Sequence, residues 1–247
     1  MNTTSQSMKT IQESKHVRLA TAGRPRRSSA RGAACIQHRS ASLSLRSKSS
    51  FKKLPRSFFR RPATEVAPAL IGKILVRHIQ GKTFQARVVE TEAYLGPHDL
   101  ASHASKGRTR RTEVLFGLAG RAYVYLIYGM YEMLNVVAGG VGQAQAVLIR
   151  AAEPLNGWKA DLSGPGRLTR AFQITRAEYG LDLTGGQLYF LDDPAYQARV
   201  VSAKRVGIDY AREWKDAPLR FLDADHTARD CLVQGERCQE SVFASIP

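Results

Sequence analysis

Residues 86–103 read ARVVETEAYLGPHDLASH. The first nine alternate as a half-buried strand does, successive side chains pointing to opposite faces. The spacing predicts a strand over about Phe84 to Tyr94, with Val88, Glu90, Glu92 and Tyr94 on one face and Val89, Thr91 and Ala93 on the other. Two carboxylates and a tyrosine therefore share a surface. Gly96, Pro97, Asp99 and Ser102 then give the punctuation of a loop, which carries His103.

Working outward, ATEVAPALIGKILVRHI (63–79) reads as a short helix stopping near Gly72 and a strand from Lys73 to Ile79, with QGK as a hairpin turn into the acidic strand. RAYVYLIYGMYEMLNVVAGG (121–140) reads as a β-hairpin with Gly129 at its tip. QAVLIRAAEP is a further strand closed by Pro154, GPGRLTRAFQI opens a helix, and GQLYFLDD and RVVSAKRVGI add strands. The expected fold is a mixed α/β single domain over 57–247, a mostly antiparallel sheet with flanking helices.

The chain has 247 residues, 43% of them hydrophobic, enough for a sizeable core. Its formal charge is +16, but residues 1–61 hold 15 Lys and Arg against Glu13 alone. They carry +14, which leaves +2 for everything after them. Residues 1–56 are expected to be a disordered, basic, Ser- and Arg-rich tail, because such a composition buries too little apolar surface to offset its ordering entropy. Three readings of the tail stay open: a basic arm for nucleic acid, an organelle transit peptide, or a misassigned start. No apolar run is long enough to span a membrane and no secretory signal is visible, so an intracellular protein is expected, with the bacterial cytoplasm favoured over nucleus or organelle. Cys35, Cys231 and Cys238 have no zinc-ligand spacing, and no Gly-rich phosphate loop occurs. No cofactor is implied.

Several constellations carry chemistry. Carboxylates two residues apart on a strand lie about 7 Å from each other, a separation that admits water in glycoside hydrolysis. The same spacing also occurs on the solvent face of ordinary strands, so spacing alone decides nothing. Tyr123, Tyr125 and Tyr128 suit either strand packing or a pocket for a flat π-rich ligand with an aromatic wedge at the hairpin tip. Lys106, Arg108, Arg110 and Arg111 form a basic loop fit either for solvent or for phosphates. Glu92, Asp99 and His103 could make a metal-dependent hydrolase, although GPHD argues for a loop and no further ligand is suitably spaced.

Six ordered blocks narrow the choice: VVETEAYLGPHDLASH, GRTRRT, YVYLIYGMYEMLNVV, AVLIRAAEP, SGPGRLTRAF and RVGIDYAREWKDAPLRF. Together, over about residues 58–223, they resemble the alkyladenine (3-methyladenine) DNA glycosylase family of the mammalian type. The resemblance implies excision of alkylated or otherwise damaged purines from double-stranded DNA by a monomer, with no metal and an abasic site as product. It implies Glu92 as general base, Arg150 helping to hold the attacking water and the Val206 carbonyl as a further water contact. Tyr94, His103 and Tyr125 would sandwich the flipped base, and Asn135 would discourage guanine. Tyr128 would fill the vacated space, with Met130 and Tyr131 of the same DNA-intercalating hairpin, and Arg108, Arg110 and Arg111, meeting the DNA. Two departures fall in a DNA-facing loop: Leu118 and Ala119 where the family has prolines, and Thr112 with Glu113 where Asn and a small or basic residue are usual. Glu90 is expected to be structural. A noncatalytic DNA- or RNA-binding module on the same scaffold is the alternative.

Overall fold

The computed structural model describes residues 51–226. The bulk of the basic tail and all three cysteines lie outside the described residues. Gly72, at a φ of +85° that L side chains rarely adopt, separates α2 (Ala63–Leu70) from β2 (Ile74–Ile79); a Cβ there would also stand 2.9 Å from the Tyr196 ring. Gln80 and Gly81, both at positive φ, turn the chain into β3 (Lys82–Tyr94).

β3 organises the sheet. Along one edge it pairs with β6 (Gln145–Pro154); along the other it pairs first with β2 and then, through Glu90–Glu92, with β9 (Arg220–Asp223). The hairpin of β4 (Ala122–Ile127) and β5 (Tyr131–Ala138) extends the sheet beyond β6. β7 (Leu188–Asp192) flanks β2, and β8 (Val200–Ala203) flanks β9. With Lys52–Lys53 added against β7, all the pairings are antiparallel and the described residues form a nine-stranded sheet in a single α/β domain.

α1 (Arg56–Phe59), α2 and α3 (Pro165–Ala171) cover one face. Phe59, Phe172 and Phe190 are fully buried there, with Leu70 and Leu168. Each such side chain contributes about 1.5–3 kcal/mol by leaving water. The face left uncovered by helices carries the loops after β3 and β8.

The sequence reading needs three corrections. Residues 51–56, assigned to the tail, join the fold: β1 (Lys52–Lys53) pairs with β7, Leu54 is buried, and Arg56 bonds Asp182 and the Ala119 carbonyl. β8 stops at Ala203 rather than running through RVGI, because Arg205 turns inward to a buried partner and Gly207 has a φ of +73°. Val88 does not share a face with Glu90, Glu92 and Tyr94. It lies in the helix-covered core with Ala86 and Ala93, and Thr91 on that same face donates to the Ala67 carbonyl of α2 (2.9 Å). Two bulges cause this: Val89 is unpaired on β3 and Arg150 on β6, so Val88 faces Ala152, Glu90 faces Ala151 and Thr91 faces Ile149.

Candidate active site

Strand register brings the polar residues together on the loop-covered face. Tyr123 on β4 pairs with Asn135 on β5, Asn135 with Leu148 on β6, Leu148 with Glu92 on β3, and Glu92 with Arg220 on β9. Residues in one row of a sheet point the same way, so this single row sets Glu92, Asn135 and Tyr123 on a common floor. A cavity of about 250 Å³ opens above it, walled by Tyr94, His103, Tyr125, Asn135, Arg150 and Val206 among others. No lysine lines it.

Glu92 is fully buried and accounts for its carboxylate oxygens well. Oε1 accepts the Val206 N–H (2.9 Å) and lies 3.3 Å from Arg150 Nη1; Oε2 accepts the Tyr94 hydroxyl (2.8 Å). Burial pushes its carboxyl above the usual range, opposed by Arg150, the Val206 N–H and the Tyr94 hydroxyl, and assisted by Glu90. The carboxylate sits just behind the cavity wall, covered by the side chains that bond it. Val206 meets it through its N–H; the sequence resemblance had assigned a water contact to its carbonyl.

Arg150 serves two acids. Its Nε donates to Glu90 Oε1 (2.9 Å), which also accepts from Arg220 Nη1 (3.1 Å). Burial opposes its charge, but Glu92 and Glu90 outweigh that and raise its pKa further. Glu90 thus belongs to the support of Arg150.

The aromatic walls fall into two groups. Ser102 caps the short 3-10 helix His103–Lys106, its side chain accepting from the Ala104 N–H, which presents His103 to the cavity. His103 Nδ1 lies 2.8 Å from the Tyr123 hydroxyl, and its ring meets Tyr125 edge to face with centroids 4.5 Å apart. These two rings leave no gap for a base between them; they make one wall. Tyr94 packs separately, with Ala101, Ile208 and Trp214, as another. Burial, then the nearby Arg111 guanidinium, hold the His103 imidazole down to a pKa of about 4. Burial also pushes the Tyr123 hydroxyl up to about 12 and Tyr125 well above its ordinary value. Asn135 Nδ2 donates to the Tyr123 carbonyl (3.3 Å).

Asp99 and His103 do not join Glu92 as metal ligands. Asp99 is held bidentately by Arg205 and accepts the N–H groups of Leu95 and Ala101. No group of three or more metal-ligating side chains gathers among the described residues.

A profile of the family described as Methylpurine-DNA glycosylase (MPG) matches residues 57–227. The chain belongs to that family. Relatives each named "Putative 3-methyladenine DNA glycosylase" include one from Anaeromyxobacter sp. (strain Fw109-5), 51% identical over 170 residues, covering 68% of this chain and 88% of the relative. One from Methanocella arvoryzae is 48% identical over 184 residues (69% and 92%), and one from Legionella pneumophila (strain Lens) 46% identical over 176 (71% and 96%).

Around the cavity of this methylpurine-DNA glycosylase family member stand the groups that its sequence marks for DNA. Tyr128 is 79% exposed and Met130 65% exposed at the hairpin tip, where the Met130 N–H donates to the Ile127 carbonyl (3.2 Å). Tyr128 and Gly129 both have positive φ (53° and 70°), and an aromatic residue in that region is strained. Tyr131 is half-buried, its ring so close to Gly166 that a Cβ there would meet it at 2.7 Å. Arg111 lies over the Tyr125 ring (5.1 Å) on the side of an adjoining groove rather than in the cavity wall. Arg110 lines the same groove with Arg176 and Tyr179, and Arg108 pairs with Glu113 (3.3 Å). Thr112 is buried and bonds the Thr109 N–H and the Gly107 carbonyl, shaping this loop. Leu118 is exposed, and the Ala119 carbonyl holds Arg56.

Sequence reasoning missed Met133 and Tyr210 at the cavity and, behind it, Arg205. Only strand register would have signalled Met133, which pairs with Tyr125.

Proposed function

We propose that this protein is a DNA glycosylase of base-excision repair that extrudes a damaged purine from duplex DNA and hydrolyses its N-glycosidic bond with water, leaving an abasic site. The observation carrying this reading is the buried Glu92 carboxylate, held by Arg150, the Val206 N–H and the Tyr94 hydroxyl just behind the wall of an aromatic-lined cavity. A flipped base needs such a flat, π-lined pocket. Hydrolysis passes through a sugar with oxocarbenium character, so an ionised Glu92 both takes the water proton and stabilises the developing positive charge. Because Glu92 lies behind the wall, water must pass between Tyr94 and Arg150, which line the cavity in front of it, to reach the carboxylate.

Purines alkylated at N3 or N7 carry a positive charge while attached to the sugar, take the bond electrons to leave as neutral bases, and need little more than this carboxylate to stabilise the positive charge passed to the sugar. Hypoxanthine and etheno-adenine, the neutral members of the substrate class, need protonation as they leave. With water as nucleophile and no lysine at the cavity among the described residues, the enzyme is monofunctional and makes no Schiff base. It acts as a single chain, Tyr128 filling the space that the base leaves.

The test is single-turnover base release, in EDTA, from duplexes carrying hypoxanthine or etheno-adenine and from methylated DNA, with wild type and Glu92→Gln. Release by wild type and loss of about 100-fold or more in the variant support the reading. Tight duplex binding without release from any substrate would favour a noncatalytic binding module instead. Borohydride trapping of a protein–DNA adduct would contradict the monofunctional mechanism.

A further inference from the structure

Arg205 and Asp99, separated by 106 positions in sequence, make a fully buried bidentate pair: Nη1 to Oδ2 at 2.6 Å and Nη2 to Oδ1 at 2.9 Å. Replacing such a pair by apolar side chains is often neutral or stabilising, so burial of two charges is a poor way to gain stability alone. Its surroundings suggest another use. Arg205 Nη1 also donates to the carbonyl of Ala93, the residue between Glu92 and Tyr94 (2.9 Å). Its guanidinium lies over the Tyr94 ring, 4.8 Å from the centroid, and Nη2 reaches the Trp214 carbonyl (3.4 Å). The next residue, Val206, gives its N–H to Glu92. Asp99 in turn gathers the Leu95 and Ala101 N–H groups of the loop that presents His103.

We propose that Arg205, clamped by Asp99, is a positioning residue that holds the Tyr94 hydroxyl and the Val206 N–H in register with the Glu92 carboxylate. Three segments meet at this one guanidinium: the end of β3, the loop after it and the loop after β8. The two hydrogen-bond donors of Glu92 that do not come from Arg150 both hang from it. The inference rests on the reading of Glu92 as the general base.

The experiment is the pH profile of single-turnover excision for wild type, Arg205→Lys, Asp99→Asn and Glu92→Gln, with folding followed by circular dichroism. The other groups facing Glu92 are Glu90 and Tyr94 on β3, Arg150 on β6, Tyr125 on β4 and, beside Glu90, Arg220 on β9; all are unchanged in the Arg205 and Asp99 variants. Arg205→Lys keeps the charge but not the fork, so a shift there reports geometry rather than a missing cation. Losing donors to the carboxylate raises its pKa. The acid limb is therefore expected to move up by about half a pH unit or more in both variants, with the rate at neutral pH falling roughly 10-fold.

A uniform drop across the pH range, matching the folded fraction, would reduce the pair to a loop staple and overturn the proposal. If Arg205→Lys does not fold, Asp99→Asn decides; failure of both to fold would assign the pair to stability and also overturn it. Glu92→Gln separates the two ideas. If it keeps its activity, the general-base reading fails; if it loses activity while the other profiles keep their shape, only the role of Arg205 fails.

Discussion

Arg150 stands between two carboxylates, its Nε 2.9 Å from Glu90 and its Nη1 3.3 Å from Glu92. The two acids are two residues apart on one strand, yet only Glu92 is fully buried and bonded to the Tyr94 hydroxyl and the Val206 N–H. Their substitutions should separate accordingly. Glu92→Gln is expected to lose excision by about 100-fold or more, the usual scale for removing a general base, and Glu90→Gln roughly 10-fold through a less constrained Arg150. Equal losses in single-turnover assays would show that the two acids act as a unit.

Tyr94→Phe keeps the aromatic face and deletes one hydrogen bond to Glu92. That bond favours the ionised acid, and burial already holds the carboxyl high. The sign follows: the working form is the ionised one, lost as pH falls through the raised pKa, so the wild-type acid limb lies above the ordinary Glu value of about 4.3. In Tyr94→Phe it should move to still higher pH. A limb that stays in place or moves down would mean that the hydroxyl does not govern this carboxylate.

His103, held to about pKa 4 by burial and then by Arg111, should stay neutral in the folded protein through the range where an ordinary imidazole charges. Its folded value lies below its unfolded value of about 6.5, so the unfolded chain binds the extra proton between those limits. The stability contributed is fully present above about 6.5 and is lost as the pH falls toward 4. Thermal unfolding should fall over this window, less steeply in His103→Gln. An NMR titration placing the His103 midpoint near 6.5 would contradict this.

Tyr128→Ala removes the exposed ring at the hairpin tip without touching the core. Its cost belongs to DNA binding: about 1–3 kcal/mol for a stacking aromatic, or roughly 5- to 150-fold in affinity for lesion-bearing duplex. Stability should change by less than about 0.5 kcal/mol. Isothermal denaturation alongside binding separates the two effects.

Glu113 pairs with Arg108 on an exposed loop, so on the proposed DNA-binding reading it competes with phosphate for that guanidinium. Glu113→Gln should therefore tighten nonspecific duplex binding and steepen its salt dependence by roughly 0.9 in the logarithmic slope, the increment for neutralising one further phosphate. An unchanged slope would place this loop away from DNA.

The strands around the site were legible because alternation and turn residues act locally. α2 ends before Gly72, the acidic strand ends at Tyr94, and the hairpin turns at Tyr128 and Gly129. The face of Val88 was not legible, since a bulge changes the phase of alternation and depends on the partner strand. Lys52–Lys53 looked like tail because two exposed lysines carry no hydrophobic signal; their strand exists through pairing with Leu191 and Asp192. Arg205 looked like one basic residue among many. Its meaning comes from Asp99, which only the fold brings to it.

The paired bulges carry a consequence for how this site could be gained or lost. Val89 and Arg150 are each one residue more than the ladder uses, and on either side of them β3 and β6 run in the same register. A chain lacking both would keep a regular ladder, with Glu92, Tyr94 and Leu148 still facing one way and Thr91, Ala93 and Ile149 the other. Strand register thus makes no demand for the cation that touches both acids; Arg150 is an extra residue on one strand matched by an extra residue on its neighbour. Backbone architecture and reactive centre can vary independently here, and a paired deletion of Val89 and Arg150 should yield an intact but inert sheet.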